Sequence, residues 1–287
     1  LFHKGMIAVI GLGFVHSMSI GSNLQNAEMR AFWWALLATS VGVFLYRNIA
    51  FPLFVRKSYD IFSVDEEARG VYTLKMSPRE GTVPRYKPGQ FMFLKLKRPG
   101  RLSEEHPFTI SSSPFEGEWI SATIKESGNF TDTIGETTTD DTARIAAPYG
   151  RFSYVLQAPK SFVFIAGGVG ITPLMSMIRF LRDTGDGRKV LLLYGSLSEK
   201  DIIFADELER LPFNFEFVHI LSEPGVEWEG ETGYITENTI RDYAGSVLDE
   251  LHFYVCGPPI MMNKVHKILR ELGVPRRRIH SERFSLD

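Results

Sequence analysis

The sequence predicts a chain of mixed class, α/β plus all-β plus membrane helices, on three observations. Residues 1–54 are largely apolar, with Lys4, Glu28, Arg30 and Arg47 as their charged side chains. Residues 56–157 break into short β-like runs punctuated by glycine and proline. Residues 158–287 alternate apolar strand-like runs with helical ones, the pattern of a parallel sheet wound on both faces. The expected parts are two transmembrane helices within 1–55, an antiparallel β-barrel over 56–157 and a doubly wound parallel-sheet domain over 158–287.

Two apolar runs, Met6–Ile20 and Ala31–Tyr46, flank the polar segment Gly21–Arg30. Each falls a little short of the ~20 residues that cross a bilayer. Extension back to Leu1, and past Arg47 to Phe54, makes both long enough, and Arg47 then sits near an end where it can snorkel. Trp33, Trp34 and Tyr46 lie near the ends of the second run like an aromatic belt, and Arg47, Arg56 and Lys57 follow it. By the positive-inside rule this is an integral membrane protein whose remaining chain is cytoplasmic. A buried helical hairpin is the plainer reading, while a cleaved signal peptide fits poorly, since there are two runs and no cleavage-like site. The chain begins in apolar sequence without an initiator Met, so 1–55 reads as the last part of a membrane domain whose earlier helices are missing.

His3 and His16 are the polar exceptions on the first helix. An imidazole at membrane depth is costly without a partner, which makes both functional candidates. Their separation along a helix axis is roughly 20 Å, right for two haems stacked across a bilayer, but their side chains would point about 140° apart. Gly5, Gly11 and Gly13 leave room for a bend or π-bulge that would bring them together. The other reading makes His3 an interfacial residue and His16 a hydrogen-bonded helix contact.

Pro52 limits the second helix. Beyond it, Val71–Met76, Phe91–Leu96, Trp119–Ile124 and Arg144–Ala146 read as strands, with turns at Gly81, Pro88-Gly89, Pro99-Gly100 and Gly117. In the last part, Phe162–Ala166, Val190–Tyr194, Phe215–Ile220 and His252–Val255 read as strands. Helices are expected at Leu174–Arg182, Asp201–Leu211, Thr236–Tyr243 and Ile260–Leu272. The net charge of -2 gives no reason to expect nucleic acid as a partner. One cysteine excludes an internal disulfide framework and any multi-cysteine metal cluster within the chain.

Three strings carry chemistry. Gly167-Gly168-Val169-Gly170-Ile171-Thr172-Pro173 stands between a strand and a helix. Glycines let a backbone approach a pyrophosphate, and the helix N-terminus supplies free N–H groups. Cys256-Gly257-Pro258-Pro259 also follows a strand, and its small, soft Cys256 leaves room for a nicotinamide ring; a catalytic thiolate or a merely buried cysteine are the other roles. In His106-Pro107-Phe108-Thr109-Ile110-Ser111-Ser112, apolar residues alternate with hydroxyls that can bond a flavin ring without adding charge.

In this order the strings resemble the sites of the ferredoxin–NADP reductase superfamily. Tyr86-Lys87-Pro88-Gly89-Gln90-Phe91, Lys125 with Gly128-Asn129-Phe130-Thr131, and Pro148-Tyr149-Gly150 add to the resemblance. His106-Pro107-Phe108-Thr109 is similar to the form found in NADPH oxidases and ferric reductases, a transmembrane flavocytochrome branch. The resemblance covers about residues 58–287. It implies an FAD-binding barrel and a Rossmann-like NAD(P)H domain. Thr109 would contact the flavin ring, and His106 and Gly128–Thr131 its ribityl or diphosphate portion. Gly167–Thr172, Tyr194, Ser196 and Cys256–Pro258 would hold the nucleotide, and Phe284 would cover the flavin. His3 and His16 would each ligate a b-type haem iron, with the second ligands on helices absent from this chain.

The implied activity is transmembrane electron transfer from cytoplasmic NAD(P)H through FAD and haem to oxygen or a ferric chelate across the lipid bilayer. The alternative is a membrane-anchored NAD(P)H flavin reductase without haem that serves a partner protein. Nucleotide choice stays open. Leu197 stands where NADP-preferring relatives carry an arginine, and Glu199 would repel a 2′-phosphate, but Ser196, Ser198 and Lys200 offer donors.

Overall fold

The computed structural model describes residues 2–20, 26–46, 56–101, 104–128, 130–157, 159, 161–212, 214–245, 248 and 250–283. The chain divides into two compact units, Leu1–Arg56 and Lys57–Asp287. In the first, helix α1 (Phe2–Ile20) is followed by α2 (Ala27–Leu45), whose start is capped by the Asn26 side chain accepting from the Glu28 N–H. Phe14 meets Trp34 edge-on at 4.9 Å between the helices, and α2 buries none of its residues.

Here the expectation of membrane helices, and of an integral membrane location, is corrected: among the described residues no helix is long and apolar enough to cross a membrane. Each helix has 19 residues. That is about 28 Å of rise, against a hydrocarbon core of about 30 Å. Glu28 and Arg30 also occupy the opening turns of α2. The second span depended on extension to Phe54, and residues 47–55 lie outside the described residues.

The second unit holds two six-stranded sheets. The antiparallel one comprises β1 (Lys57–Ala68), β2 (Val71–Pro78), β3 (Phe91–Lys97), β4 (Glu105–Thr109), β5 (Ile120–Lys125) and β6 (Thr142–Tyr149), in the order β4-β3-β6-β1-β2-β5. Just past β4, the Ser111 N–H donates to the Ser121 carbonyl on β5 at 2.9 Å, so the two edge strands meet and the sheet curls into a barrel. Alternation makes the interior: Met92, Leu94 and Leu96 of β3 point in, beside Tyr59, Ile61, Leu74 and Met76. Strand β1 escapes a sequence reading because Ser-Val-Asp-Glu-Glu lacks an apolar face.

The parallel sheet comprises β7 (Phe162–Gly167), β8 (Val190–Ser196), β9 (Phe215–Leu221), β10 (Glu231–Thr232), β11 (His252–Cys256) and β12 (Ile279–Glu282), in the order β10-β9-β8-β7-β11-β12. Its longer helices are α3 (Ile171–Asp183), α4 (Ala205–Glu209), α5 (Glu237–Ala244) and α6 (Pro259–Glu271). Central β7 is buried along its whole length, as a continuous apolar run in a parallel sheet should be. Phe162, Phe164 and Ala166 share a core with α3, α4 and the barrel-side Phe152 and Tyr154, whereas Val163 and Ile165 face α5 and α6. Strand β10 pairs only with Ile220 and Leu221 of β9. Strand order reverses between β7 and β11, and such a reversal opens a crevice at the carboxyl ends of the strands.

Candidate functional site

That crevice is where two of the three strings meet. Gly167–Gly170 leaves β7 as a short 3-10 turn leading into α3, and Cys256-Gly257-Pro258 leaves the neighbouring β11 into α6. The glycines divide into two kinds. A Cβ on Gly170 would lie 2.4 Å from the Cys256 carbonyl oxygen, and one on Gly167 2.5 Å from Met261 Sδ, so these two let the turns interlock. Gly168 has φ +50 and nothing within 4 Å of an added Cβ, which leaves open space beside its backbone.

Two expected ligand groups brace the turn instead. Thr172 Oγ1 donates to the Val169 carbonyl at 3.0 Å. The Tyr194 hydroxyl donates to the Gly168 carbonyl at 3.3 Å and accepts from the Ile203 N–H, and burial pushes its pKa up to about 12. Ile171 is buried in the first turn of α3, and Ser196 ends β8.

The barrel contributes the third string. His106 and Phe108 on β4 meet Phe130 at 4.2 and 6.2 Å, which joins the strand to the turn at Gly128–Thr131. Gly128 takes φ +89 there, and Thr131 Oγ1 both accepts from the Ser127 N–H and donates to the Ser127 carbonyl. Pro107 pairs across to Phe93, and Lys125 is the exposed end of β5. Thr109 is buried, and its Oγ1 has no hydrogen-bond partner among the described residues. A buried hydroxyl without a partner is a feature that a bound group explains.

Ser111 and Ser112 differ from expectation. Because β4 ends at Thr109, their hydroxyls turn into the barrel wall. Ser111 bonds Ser121 and Thr123, while Ser112 bonds Tyr86 and the Ser121 N–H.

Sequence reasoning missed Glu282. Strand β12 places it opposite Cys256 in the ladder, and a Cβ on Gly150 of the barrel would lie 3.4 Å from its Oε1. Its Oε2 has no hydrogen-bond partner among the described residues, and burial raises its pKa to about 7. Only the β11–β12 register reveals it. Cys256 beside it is fully buried; burial, and then the Glu282 charge, push its thiol well above the usual range. Cys256 is therefore a neutral thiol, not a thiolate nucleophile.

In the loop after β8, Ser198 Oγ donates to Asp201 at 2.6 Å and the Glu199 carboxylate accepts from the Gly225 N–H at 2.9 Å. Ser198 is thus committed within the loop, and Glu199 to the loop that follows β9. Asn129 and Phe284 lie outside the described residues.

His3 and His16 lie on an uninterrupted α-helix, without the π-bulge that would align them. His16 is exposed, and the side chain of His3 lies outside the described residues. Among the described residues no group of three or more His, Cys, Asp or Glu is placed to hold a metal ion. Nothing among the described residues supports the expected pair of haems. FAD does fit, given the unpaired Thr109 hydroxyl, and a dinucleotide fits the open space at Gly168.

Residues 58–166 match the FAD-binding domain family, and residues 164–267 the oxidoreductase NAD-binding domain family. Ferredoxin–NADP reductase B of Sorangium cellulosum is 31% identical over 227 residues, covering 75% of this chain and 91% of that protein. The chain belongs to the ferredoxin–NADP reductase family. NADH-cytochrome b5 reductase 1 of Candida glabrata is 34% identical over 155 residues, 52% of this chain and 54% of that relative, so the match spans about half of it. The FAD/NAD-binding domain of nitric oxide dioxygenase from Vibrio cholerae has the same fold, with a TM-score of 0.70 at 24% identity over 79% of this chain and 98% of that one. These similarities support the flavin–nucleotide module; they give no support to the narrower oxidase and ferric-reductase branch or to haem. The two family matches overlap at 164–166, on the strand of this family member that runs into the glycine turn.

Proposed function

We propose that the chain is an NAD(P)H-dependent flavin reductase that passes electrons to a partner protein. In this reading 56–157 is the flavin part and 158–287 the nucleotide part. The observation that carries it is the convergence at the strand-order reversal. The Gly168 turn, the Cys256 turn and Glu282 share one crevice, and Glu282 reaches the barrel at Gly150. FAD, when bound, supplies the chemistry of accepting a hydride from nicotinamide and releasing electrons singly.

The chain's residues have distinct tasks. Gly168 and the N-terminus of α3 hold the dinucleotide diphosphate, where free N–H groups and the helix dipole favour anions. Thr109 bonds the flavin ring, and His106 with Phe130 flanks the rest of that cofactor. Cys256, buried at the end of β11, keeps the crevice floor beside the nicotinamide small and uncharged. Glu282 holds a proton at its carboxyl below about pH 7, so no negative charge opposes hydride arrival there. In the loop after β8, Leu197 is exposed and Glu199 and Ser198 are committed to other partners, which favours NADH over NADPH. The relatives' names pair NADH with cytochrome b5 and NADP with ferredoxin, and both favour a protein acceptor.

The test is anaerobic titration of the FAD-loaded protein with NADH and with NADPH, followed by cytochrome b5 or ferredoxin as acceptor. Flavin bleaching and onward reduction of a protein acceptor are expected. A flavin left oxidised by both nucleotides would end the proposal.

A further inference from the structure

Helix α3 starts at the glycine turn, and its side touches the segment just past the strand that carries Thr109. Two residues one turn apart make the connection. Ser176 Oγ donates to the Ser112 carbonyl at 2.7 Å and accepts from the Gly89 N–H at 3.3 Å. Arg179 Nη1 donates to the Ser111 carbonyl at 2.6 Å. Spaced i and i+3, they lie on one face of the helix. Both acceptors are backbone groups, so the contact registers the path of the chain as it leaves the strand.

Arg179 is held from behind. Its Nε donates to both Glu207 oxygens, at 2.9 and 3.2 Å, and its Nη2 also bonds that carboxylate. Arg182 donates to Glu207 as well, at 2.9 Å. The guanidinium lies 4.6 Å from the Phe204 ring, and the Arg179 side chain is only 12% exposed. A planar, bidentate guanidinium in such a frame has one orientation, which a lysine cannot reproduce. The strand is equally fixed on its far side, through Ser111 Oγ to Ser121 and Thr123.

We propose that Arg179, aimed by Glu207 and assisted by Ser176, is a positioning residue that sets the distance between the nucleotide turn and the flavin strand. This rests on the flavin reductase function proposed above. Hydride transfer depends steeply on donor–acceptor distance, and a misplacement of about 1 Å costs on the order of 100-fold in rate. Arg179 is eight residues into α3 from Ile171, about 12 Å along the axis. A small tilt there therefore moves the turn at the helix start, without Arg179 touching either cofactor.

The experiment compares wild type, Arg179→Ala, Arg179→Lys and Ser176→Ala. It reads stopped-flow hydride transfer from NADH, KM for NADH, bound FAD, and backbone hydrogen exchange of the FAD-free protein. Arg179→Ala should slow hydride transfer 10-fold or more, with KM and FAD content within about 3-fold of wild type; Arg179→Lys and Ser176→Ala should fall between. Exchange should rise at 110–113 and at the start of α3 but not in β2 or β5. Wild-type rates in Arg179→Ala would overturn the proposal. So would a loss that follows FAD release and a uniform rise in exchange, because that marks a merely structural role. Should Arg179→Ala fail to fold, unchanged rates in both Arg179→Lys and Ser176→Ala decide against it. Failure of wild type to bleach its flavin refutes the function itself, a result distinct from a variant that matches an active wild type.

Discussion

Replacing Glu282 by Gln should stabilise the protein, and by an amount that grows with pH. The side chain is half-buried opposite Cys256 with its Oε2 shielded from solvent, and this burial raises its pKa from 4.5 to about 7. Below pH 4.5 the carboxyl is protonated in both folded and unfolded chains, so it adds no pH dependence. Between 4.5 and 7 the folded chain holds a proton that the unfolded chain releases, and stability falls by about 1.4 kcal/mol per pH unit. Above 7 both forms are ionised, and the full cost of the buried charge is present, roughly 3 kcal/mol. Glutamine has nearly the same shape and no charge. Urea denaturation without added nucleotide should therefore give a stability difference between Glu282→Gln and wild type that is roughly 3 kcal/mol larger at pH 8 than at pH 4. A difference constant across that range would refute the burial argument.

The two kinds of glycine should separate in mutagenesis. Gly170→Ala places a Cβ 2.4 Å from a backbone oxygen and should cost about 2–3 kcal/mol in thermal or urea unfolding. Gly168→Ala should cost only about 1 kcal/mol for its left-handed φ but should raise KM for the nucleotide; equal losses of stability would contradict the distinction. Thr109→Val removes a hydroxyl that has no partner among the described residues, so unfolding should change by less than about 0.5 kcal/mol. Hydride transfer measured by stopped flow should nevertheless slow about 10-fold, as expected for loss of one hydrogen bond to the ring. Cys256 should resist a disulfide-exchange reagent at pH 8 until urea unfolds the chain, and prompt labelling of the native protein would contradict its burial.

The glycine strings were legible because each records a local backbone need: a left-handed φ at Gly168, or the absence of a Cβ at Gly170. The apolar runs at β3 and β7 and the helix before Gly185 were legible for the same local reason. What escaped depends on register. Nothing near Glu282 in sequence says that it lies beside Cys256, and nothing near Arg179 points to a carbonyl 68 residues away. Alternation against Phe108 and Ile110 assigns Ser111, with Thr109, to the flavin face, and Ser112 goes with the same string. The strand ends two residues too early for that, and β5 claims their hydroxyls. The hairpin was misjudged because its apolar runs reached spanning length only by extension: α1 takes in His3 and Lys4, α2 takes in Glu28 and Arg30, and 47–55 lie outside the described residues.

Strand β10 has a consequence of its own. With only two residues paired, it leaves Phe215–His219 as the rim of the parallel sheet. An open rim of this kind is a template on which another chain can lay a strand, the first step of many aggregates. Beside the rim, a cavity is lined by Glu216, Glu229 and Glu231, with Tyr243 donating to the Glu231 carboxylate at 2.9 Å. A second copy approaching edge to edge would bring these acids against their own duplicates. Lysine replacements at Glu216 and Glu231 would turn that repulsion into attraction between the variant and a wild-type chain, at the rim that two-residue β10 leaves open.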